Sequence, residues 1–264
     1  MPEGDTIHKL AAYLEPRLCD RVLESVRMAD AAAAARCAGQ RVEDVYARGK
    51  HLFIALDNRL SLRSHLGMYG SWHVYTPGET WRKPRRRASL VLAVGDSDYV
   101  CFDAKEVELV ASPTVRDRIV GLRLGPDLVA DTVTGDELVR RAREIPDPDW
   151  LIADVLLDQR VAAGIGNVYK SEVLFIEGLL PQLPVREVDD ERIARCFATA
   201  ADLLRRNLGG GPRVTRFATD GAGRLWVYGR RGLPCLRCDE RVESARLGRH
   251  HRGTFWCPGC QGSG

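Results

Sequence analysis

The stretch HLFIALDNRLSLRSHL, residues 51–66, decides how the first half of this chain folds. Leucine or isoleucine recurs at every second position from Leu52 to Leu56, and the same spacing, with Ser64 included, returns from Leu60 to Leu66. A period of two is typical of β-strands with one face buried. Further alternating runs cover Val42–Ala47, Trp72–Tyr75, Ser89–Val94 and Tyr99–Phe102. Many short strands separated by turns predict an antiparallel β-sandwich between residues 21 and 111.

The residues before this region predict a helix that holds the amino terminus on the core. Asp5 is a suitable N-cap. The apolar side chains with helical spacing are Ile7, Leu10, Ala11, Leu14 and Leu18. Because Pro16 lacks a backbone N–H, we expect regular hydrogen bonding to end or kink near Leu14.

After Gly125-Pro126-Asp127 the apolar spacing becomes helical. The predicted helices span Gly135–Glu144, Trp150–Ala163, Asn167–Glu177 and Asp189–Leu208. Their apolar stripes indicate an ordinary packed core. The predicted fold class is therefore α+β, an N-terminal antiparallel β-sandwich with flanking helices followed by a helical region. We expect three domains, residues 1–125, 126–228 and 229–264.

Four of the eight cysteines form the strongest local signal in the chain. Cys235-x2-Cys238, a spacer of 18 residues and Cys257-x2-Cys260 fit a four-thiolate zinc site. Four protein ligands close the coordination sphere, so we expect one structural Zn²⁺ per chain. Two disulfides or a redox dithiol are the alternatives, which two matched pairs without a secretory signal disfavour. Zinc ribbons bind nucleic acid but also act as simple structural links, so the metal does not decide function.

The other cysteines and the overall composition describe an ordinary globular chain. Charged residues make up 28% and hydrophobic residues 45% of the 264 residues. The chain has no secretory signal and no apolar run near the roughly 20 residues of a membrane span, so we expect a cytoplasmic protein, associated with the nucleoid if bacterial.

We expect four scattered cysteines to be buried or inert, namely Cys19, Cys37, Cys101 and Cys196.

Basic residues are concentrated in two places. Eight arginines against three acids lie between residues 224 and 252, and the run Arg82-Lys83-Pro84-Arg85-Arg86-Arg87 follows Trp81. Charged runs are usually solvated faces, but arginine in preference to lysine suits phosphate binding.

The first residues carry a candidate nucleophile. Pro2 is small enough for the initiator methionine to be removed, which would leave a secondary amine at the terminus. An α-amino group titrates near pH 8, about two units below lysine, and unprotonated amines form Schiff bases with electrophilic carbons. Glu3 adds a carboxyl group that can act as a general acid or base. On these residues alone, an ordinary start before a helix explains the stretch as well.

Several short motifs, in order, carry a resemblance to a known family. They are Pro2-Glu3-Gly4, Arg48-Gly49-Lys50, Gly125-Pro126-Asp127, Leu157-Asp158-Gln159, Gly164-Ile165-Gly166-Asn167, and the cysteine pairs with Arg252 five residues before Cys257. Over essentially its whole length the chain resembles the Fpg/Nei family of DNA glycosylase/AP lyases. The resemblance implies a β-sandwich, a helix–two-turn–helix segment and a zinc β-hairpin, and it implies base-excision repair of damaged DNA by a monomer.

The resemblance assigns chemical roles to four residues. Pro2 is similar to the nucleophile that attacks C1′ of a damaged nucleotide, and Glu3 to the acid that helps to open the sugar. Lys50 is similar to the cationic partner near the DNA backbone and the β-elimination step. Arg252 is similar to the finger arginine that grips phosphate and assists δ-elimination.

The resemblance also implies DNA contacts. Asn167, with the backbone amides behind Gly166, is similar to a phosphate clamp, and Arg123 to a DNA-contacting arginine. The loop Gly67-Met68-Tyr69-Gly70 aligns with the void-filling loop of the Nei branch, in which side chains fill the space left by an extruded base. The Arg-Arg-Phe-Gly motif of the Fpg branch is absent from this sequence. Oxidised pyrimidines are therefore expected before formamidopyrimidine or 8-oxoguanine lesions.

Two departures from the family pattern bear on the substrate. Thr6 stands where members often have glutamate, so a contact made by that carboxylate is missing. Gly67 stands where a glutamine typically reaches the orphaned base. We therefore expect single-stranded, bubble or fork DNA to be favoured over paired duplex.

Two other functions remain open from the sequence. One is a non-catalytic DNA-binding module in which Pro2 is incidental, and the other is a zinc-stabilised RNA-binding protein. The joint presence of Pro2, Glu3, Lys50 and Arg252 favours the enzyme, since a binding module has no use for an N-terminal amine.

Overall fold

The computed structural model describes residues 2–111 and 124–262. These residues form two compact units, one on either side of the segment 112–123. The division into three domains stays a prediction.

The first unit contains two four-stranded antiparallel sheets with two helices, which confirms the predicted sandwich. The elements are α1 Gly4–Leu18, β1 Ser25–Met28, α2 Ala31–Cys37, β2 Val42–Arg48, β3 His51–Leu56, β4 Leu60–His65, β5 Ser71–Tyr75, β6 Ala88–Val94, β7 Ser97–Phe102 and β8 Glu106–Ala111. The strands follow the order β1-β6-β7-β5 in one sheet and β2-β3-β4-β8 in the other. Apolar side chains of both sheets and of α1 share one core.

Strand β3 shows how the alternation works. Leu52, Ile54 and Leu56 are buried in the core between the sheets. Phe53 points to the opposite face and is also buried, with its ring stacked 5.1 Å from that of Tyr46. The pattern therefore gives the direction of each side chain correctly, while the second face of this strand is covered rather than solvated.

Helix α1 differs from its prediction at both ends. It begins at Gly4, with Glu3 at the N-cap, so the assignment of Asp5 as N-cap is wrong. It also continues past Pro16 to Leu18, so of the two expected outcomes near Leu14, an end or a kink, the end is wrong. A proline in the last turn removes only one helical hydrogen bond. Burying Leu14 and Leu18 against the core offsets that loss.

Three elements of the first unit were not located from the sequence. Helix α2 is a short alanine-rich segment capped by Asp30, whose Oδ1 accepts from the N–H of Ala33 at 2.9 Å. Strand β1 has only four residues. Strand β8 carries Glu106 and Glu108, and these charged residues obscure its alternating pattern in the sequence. In the structure both carboxylates pair with Arg63 of the neighbouring strand β4.

The second unit is mainly helical and ends in a two-stranded hairpin. Predicted helices match α3, α5 and α6 closely. The prediction for Trp150–Ala163 is wrong beyond Leu157, because the Asp158 carboxylate accepts from the N–H of Arg160 at 2.9 Å and turns the chain. The elements are α3 Gly135–Glu144, α4 Ile152–Leu157, α5 Asn167–Ile176, α6 Asp190–Arg206, β9 Glu243–Leu247, β10 Arg252–Trp256 and α7 Pro258–Gln261. Among the residues described, no helix has the length and apolar character needed to cross a membrane.

Candidate active site

The candidate nucleophile lies at the head of α1. Pro2 is half-buried and Glu3 is fully buried, at 0% exposure. The Glu3 carbonyl accepts from the N–H groups of Thr6 and Ile7, which joins the terminal residues to the first helical turn. Since α1 packs on β2 and β3, these two residues are fixed on the sandwich rather than left as a tail. Met1 lies outside the described residues.

Lys50 occupies the hairpin turn between those same two strands. Arg48 pairs with His51, so Gly49 and Lys50 form a two-residue loop. Gly49 has φ +56°, the conformation that such a loop requires at its first position and that glycine adopts most easily. The motif Arg48-Gly49-Lys50 is thus a turn that presents a lysine beside the strands under α1.

A buried polar cluster that sequence reasoning missed adjoins this turn. Arg63 donates to Nδ1 of His51 at 3.0 Å and to the Glu108 carboxylate at 2.6 Å. The rings of His51 and His65 stack at 4.8 Å. Burial lowers the pKa of His51 to about 3 and also lowers that of His65, so both are neutral at pH 7. The sequence places His51 and His65 at the ends of two alternating runs, and only the strand register pairs them with each other.

The loop after β4 exposes the two side chains expected to fill the space left by a base. Tyr69 is 74% and Met68 48% exposed. Gly67 has φ +62°, and a Cβ at this position would lie 2.9 Å from Cβ of Lys105. The loop conformation therefore requires glycine at 67. Gly67 has this structural role in addition to lacking the glutamine side chain of other family members.

In the second unit, Gln159 fixes the turn that precedes Asn167. Its Nε2 donates to the carbonyl groups of Leu157 at 2.8 Å and Ile165 at 3.0 Å, and its Oε1 accepts from the N–H of Gly164 at 3.1 Å. The motifs Leu157-Asp158-Gln159 and Gly164-Ile165-Gly166 are therefore two parts of one turn, and Asn167 is the first residue of α5 that follows it.

A buried lysine links Asn167 to the hairpin that carries Arg252. Lys170, 1% exposed, donates to Oδ1 of Asn167 at 2.7 Å and to Oγ1 of Thr254 at 2.7 Å. Nδ2 of Asn167 donates to the carbonyl of Gly253 at 2.6 Å. These contacts bring Asn167 next to β10, whose first residue is the exposed Arg252. Sequence reasoning missed Lys170, because a lysine within a helical pattern is usually a surface residue.

Glu172 fastens the same helix to the segment before the cysteines. Its fully buried carboxylate accepts from the backbone N–H groups of Trp226 at 2.7 Å, Val227 at 2.9 Å and Tyr228 at 2.8 Å, and from the Thr215 hydroxyl. A buried carboxylate needs such donors. Glu172 therefore holds residues 226–228, which lead to the hairpin, against α5.

The four patterned cysteines converge at the base of that hairpin. Their sulfur atoms all lie within 4.8 Å of one another, with 3.8 Å between Cys235 and Cys260 and 3.4 Å between Cys238 and Cys257. Four sulfurs held about 2.3 Å from one metal in a tetrahedron are about 3.8 Å apart. The donor set therefore fits a structural metal site, and Phe175 of α5 packs against it.

The remaining residues named from the sequence are Arg123 and the four scattered cysteines. Arg123 lies outside the described residues. Cys37, Cys101 and Cys196 are buried, and burial raises the pKa of the first to about 11 and of the other two to about 12, so their thiols are unreactive. Cys19 is half-buried, and burial raises its pKa as well.

Comparison with known proteins agrees with this arrangement. Residues 1–110 match the formamidopyrimidine-DNA glycosylase N-terminal domain, and residues 124–218 match the formamidopyrimidine-DNA glycosylase H2TH domain. The chain belongs to the formamidopyrimidine-DNA glycosylase family. The expected helix–two-turn–helix segment is thereby confirmed.

Several relatives within the formamidopyrimidine-DNA glycosylase family carry the names of the endonuclease 8 branch, as the loop at 67–70 predicted, and others are named formamidopyrimidine-DNA glycosylase. A probable endonuclease 8 2 of Streptomyces coelicolor is 39% identical, with 99% of this chain and 94% of the relative covered. The DNA-(apurinic or apyrimidinic site) lyase Nei2 of Mycolicibacterium smegmatis is 38% identical, with 99% of both covered. A Lactococcus lactis formamidopyrimidine-DNA glycosylase, bound non-covalently to DNA containing an AP site, has the same fold, with a TM-score of 0.82, 22% identity and coverage of 98% of this chain and 99% of the other.

Replacing Lys170 by methionine should destabilise the second unit and weaken DNA binding. Methionine fills similar space but leaves Asn167 Oδ1 and Thr254 Oγ1 without their donor, so we expect a loss of at least about 2 kcal/mol in the free energy of unfolding. Urea denaturation measures the loss. Lys9→Met, which removes only an ion pair at 4.0 Å on α1, is the control and should change stability far less. Equal stabilities of Lys170→Met and the unmodified protein would contradict the role of Lys170.

Proposed function

We propose that this chain is a bifunctional DNA glycosylase and AP lyase that excises oxidised bases and then cleaves the DNA strand. The observation that carries the proposal is the position of Pro2 and Glu3 at the head of a helix packed on the strands that present Lys50. A reactive terminus needs such support, because chain termini are otherwise poorly ordered.

The residues of the first unit account for the chemistry as follows. The Pro2 nitrogen forms a bond to C1′ while the damaged base leaves with the electrons of the glycosidic bond. Glu3 supplies a proton as the C1′–O4′ bond breaks, which opens the sugar and leaves an iminium on Pro2. The Glu3 carboxylate, which has given up its proton, then takes a proton from C2′, and the 3′ phosphate leaves with the electrons of the C3′–O bond. Lys50 offers positive charge for the phosphate that leaves.

The second unit supplies phosphate contacts in this proposal. The first turn of α5 and the exposed Arg252 are joined through Gly253, so both can act on the DNA backbone as one rigid piece. Backbone amides at a helix start favour anions. Arg252 also suits the later step in which the 5′ phosphate is expelled by δ-elimination.

The metal in this proposal is one structural Zn²⁺ held by Cys235, Cys238, Cys257 and Cys260. Four thiolates match zinc and leave no open position for catalysis. In this proposal the metal stabilises the fold of the hairpin that holds Arg252. We propose that the enzyme acts as a monomer on damaged DNA, in the cytoplasm and, if bacterial, at the nucleoid, with oxidised pyrimidines favoured as lesions.

The test of the proposed function is borohydride trapping on DNA with an abasic site. We expect the mature protein to begin at Pro2, as checked by intact mass, and to form a trapped adduct that is at least about a hundredfold weaker in Pro2→Ala. Glu3→Gln should lose base excision by about a hundredfold or more but keep trapping, since an abasic sugar already equilibrates with its open aldehyde.

Full trapping and cleavage by Pro2→Ala would assign the chemistry to another nucleophile. DNA binding by the unmodified protein without any trapping would leave a non-catalytic damaged-DNA-binding protein on the same scaffold. Faster release of 8-oxoguanine than of 5-hydroxyuracil would move the lesion range to oxidised purines.

Metal analysis should find one zinc ion per chain. Cys257→Ser should lose the ion, melt at lower temperature and bind DNA more weakly, because the hairpin no longer positions Arg252. Cys19→Ser changes a cysteine outside the cluster and should keep the metal. Absence of zinc, or an undisturbed hairpin in Cys257→Ser, would refute the site.

The exposed loop predicts a preference for unpaired DNA. Flipping a base from a duplex costs a few kcal/mol and costs least where the base is already unpaired. Glycine at 67 offers no side chain to the orphaned base. We expect single-turnover excision of one lesion to be faster in single-stranded or bubble DNA than in duplex. Tyr69→Ala should slow the duplex reaction much more than the single-strand reaction.

Gly67→Gln is a poor probe of this preference, because φ +62° and the contact with Lys105 would strain the loop. A duplex rate equal to or above the single-strand rate in the unmodified protein would contradict the preference. If Tyr69→Ala slows the two reactions equally, Tyr69 has no role that is specific to paired DNA.

A further inference from the structure

The basic loop, residues 82–87, lies outside the groups described so far. We propose that this loop, together with Arg27 of β1, is an additional phosphate-binding surface for the DNA strand that passes the loop of Met68 and Tyr69. The proposal rests on the proposed function, since it takes DNA as the partner.

An aromatic layer fixes the residue from which the basic loop starts. Trp81 packs on the face of the sheet β1-β6-β7-β5 that points away from the sandwich core, 5.6 Å from Tyr75 and 5.6 Å from Phe102 between ring centroids. The Tyr75 hydroxyl accepts from the N–H of Arg82 at 3.1 Å. The loop therefore has a defined position on the sheet rather than the freedom of a charged tail.

Two of the five cations in the loop hold it in place. Nζ of Lys83 donates to Asp103 at 2.9 Å and to the Ser71 hydroxyl at 3.0 Å. Nε of Arg87 donates to the other oxygen of Asp103 at 2.7 Å. Both cations thus pair with the carboxylate of Asp103, and these two ion pairs hold the loop in place.

Four arginines remain directed to solvent. Arg27, Arg82, Arg85 and Arg86 are exposed, and within residues 2–111 and 124–262 none of them forms an ion pair with a carboxylate. The guanidinium carbon of Arg85 lies 4.4 Å from the centroid of the Trp81 ring, and that of Arg27 lies 5.9 Å from it. Stacking on an aromatic ring orients a guanidinium while leaving its N–H edge for an anion.

The position of the basic loop favours DNA over other anions. Ser71, which Lys83 contacts, directly follows Gly70 at the end of the loop that exposes Met68 and Tyr69. A side chain inserted into a base stack is flanked by phosphates on both sides of the step. Arginines adjacent to that loop would neutralise those phosphates, and each neutralised phosphate makes binding more dependent on salt.

Binding to undamaged DNA at several salt concentrations tests the surface. In Arg82→Ser/Arg85→Ser/Arg86→Ser we expect affinity for duplex and single-stranded oligonucleotides to fall at least about tenfold at low salt, and the slope of log K against log salt to become shallower by about 2 to 3. Arg21→Ser/Arg36→Ser/Arg41→Ser removes the same charge from three exposed arginines outside the basic loop and should change the slope much less. Arg82→Lys/Arg85→Lys/Arg86→Lys keeps the charge and should keep the slope.

Three results would overturn the proposal. The first is an unchanged slope in Arg82→Ser/Arg85→Ser/Arg86→Ser, and the second is an equal change of slope in this variant and in the control serine variant. The third is unchanged DNA affinity of Arg82→Ser/Arg85→Ser/Arg86→Ser together with lost binding to a polyglutamate peptide, which would assign the surface to an acidic protein. Thermal melting checks folding, and Arg86→Ser alone, which removes no described contact, repeats the test if the triple variant unfolds. Undamaged DNA needs no nucleophile, so failure of trapping would remove the proposed lyase while leaving this measurement valid.

Discussion

The structure depends first on the packing of α1 against the strands β2 and β3. A chain terminus is normally among the least ordered parts of a protein. Here Ile7 and Leu14 are completely buried, and Glu3 is buried with them at the helix start. The apolar stripe of a surface helix therefore acts as the support of the first two residues. The same two strands carry Lys50 in the turn between them, so the helix packs on the strands that present this lysine.

The second unit solves a similar problem with buried polar groups. Lys170 and Glu172 lie on α5, and they hold the hairpin and the chain leading to it through hydrogen bonds to Thr254 and to backbone N–H groups. Apolar contacts would supply comparable burial but little direction. Hydrogen bonds have a defined geometry, and leaving any of these groups unpaired costs free energy, so the hairpin has one preferred position on α5.

The cationic side chains fall into two groups, those that hold the structure together and those that face solvent. Arg63, Lys83 and Arg87 have carboxylate partners and hold strands or loops together. The arginines stacked near Trp81 have none among the described residues and face solvent. Net charge, which is only +3, conceals this contrast. The difference between structural and available cations is visible only when each side chain is placed.

The sequence by itself determined the sandwich, most helix positions and the cysteine cluster, because periodicity and short spacings are properties of neighbouring residues. It also indicated the family through short motifs such as Pro2-Glu3-Gly4. Tertiary structure alone decided which polar residues are buried. Lys170 contacts a residue 84 positions away, so no local pattern could separate it from a surface lysine. Likewise, the constraint on Gly67 arises from Lys105 on a segment far along the chain, whose approach no spacing within the loop reveals.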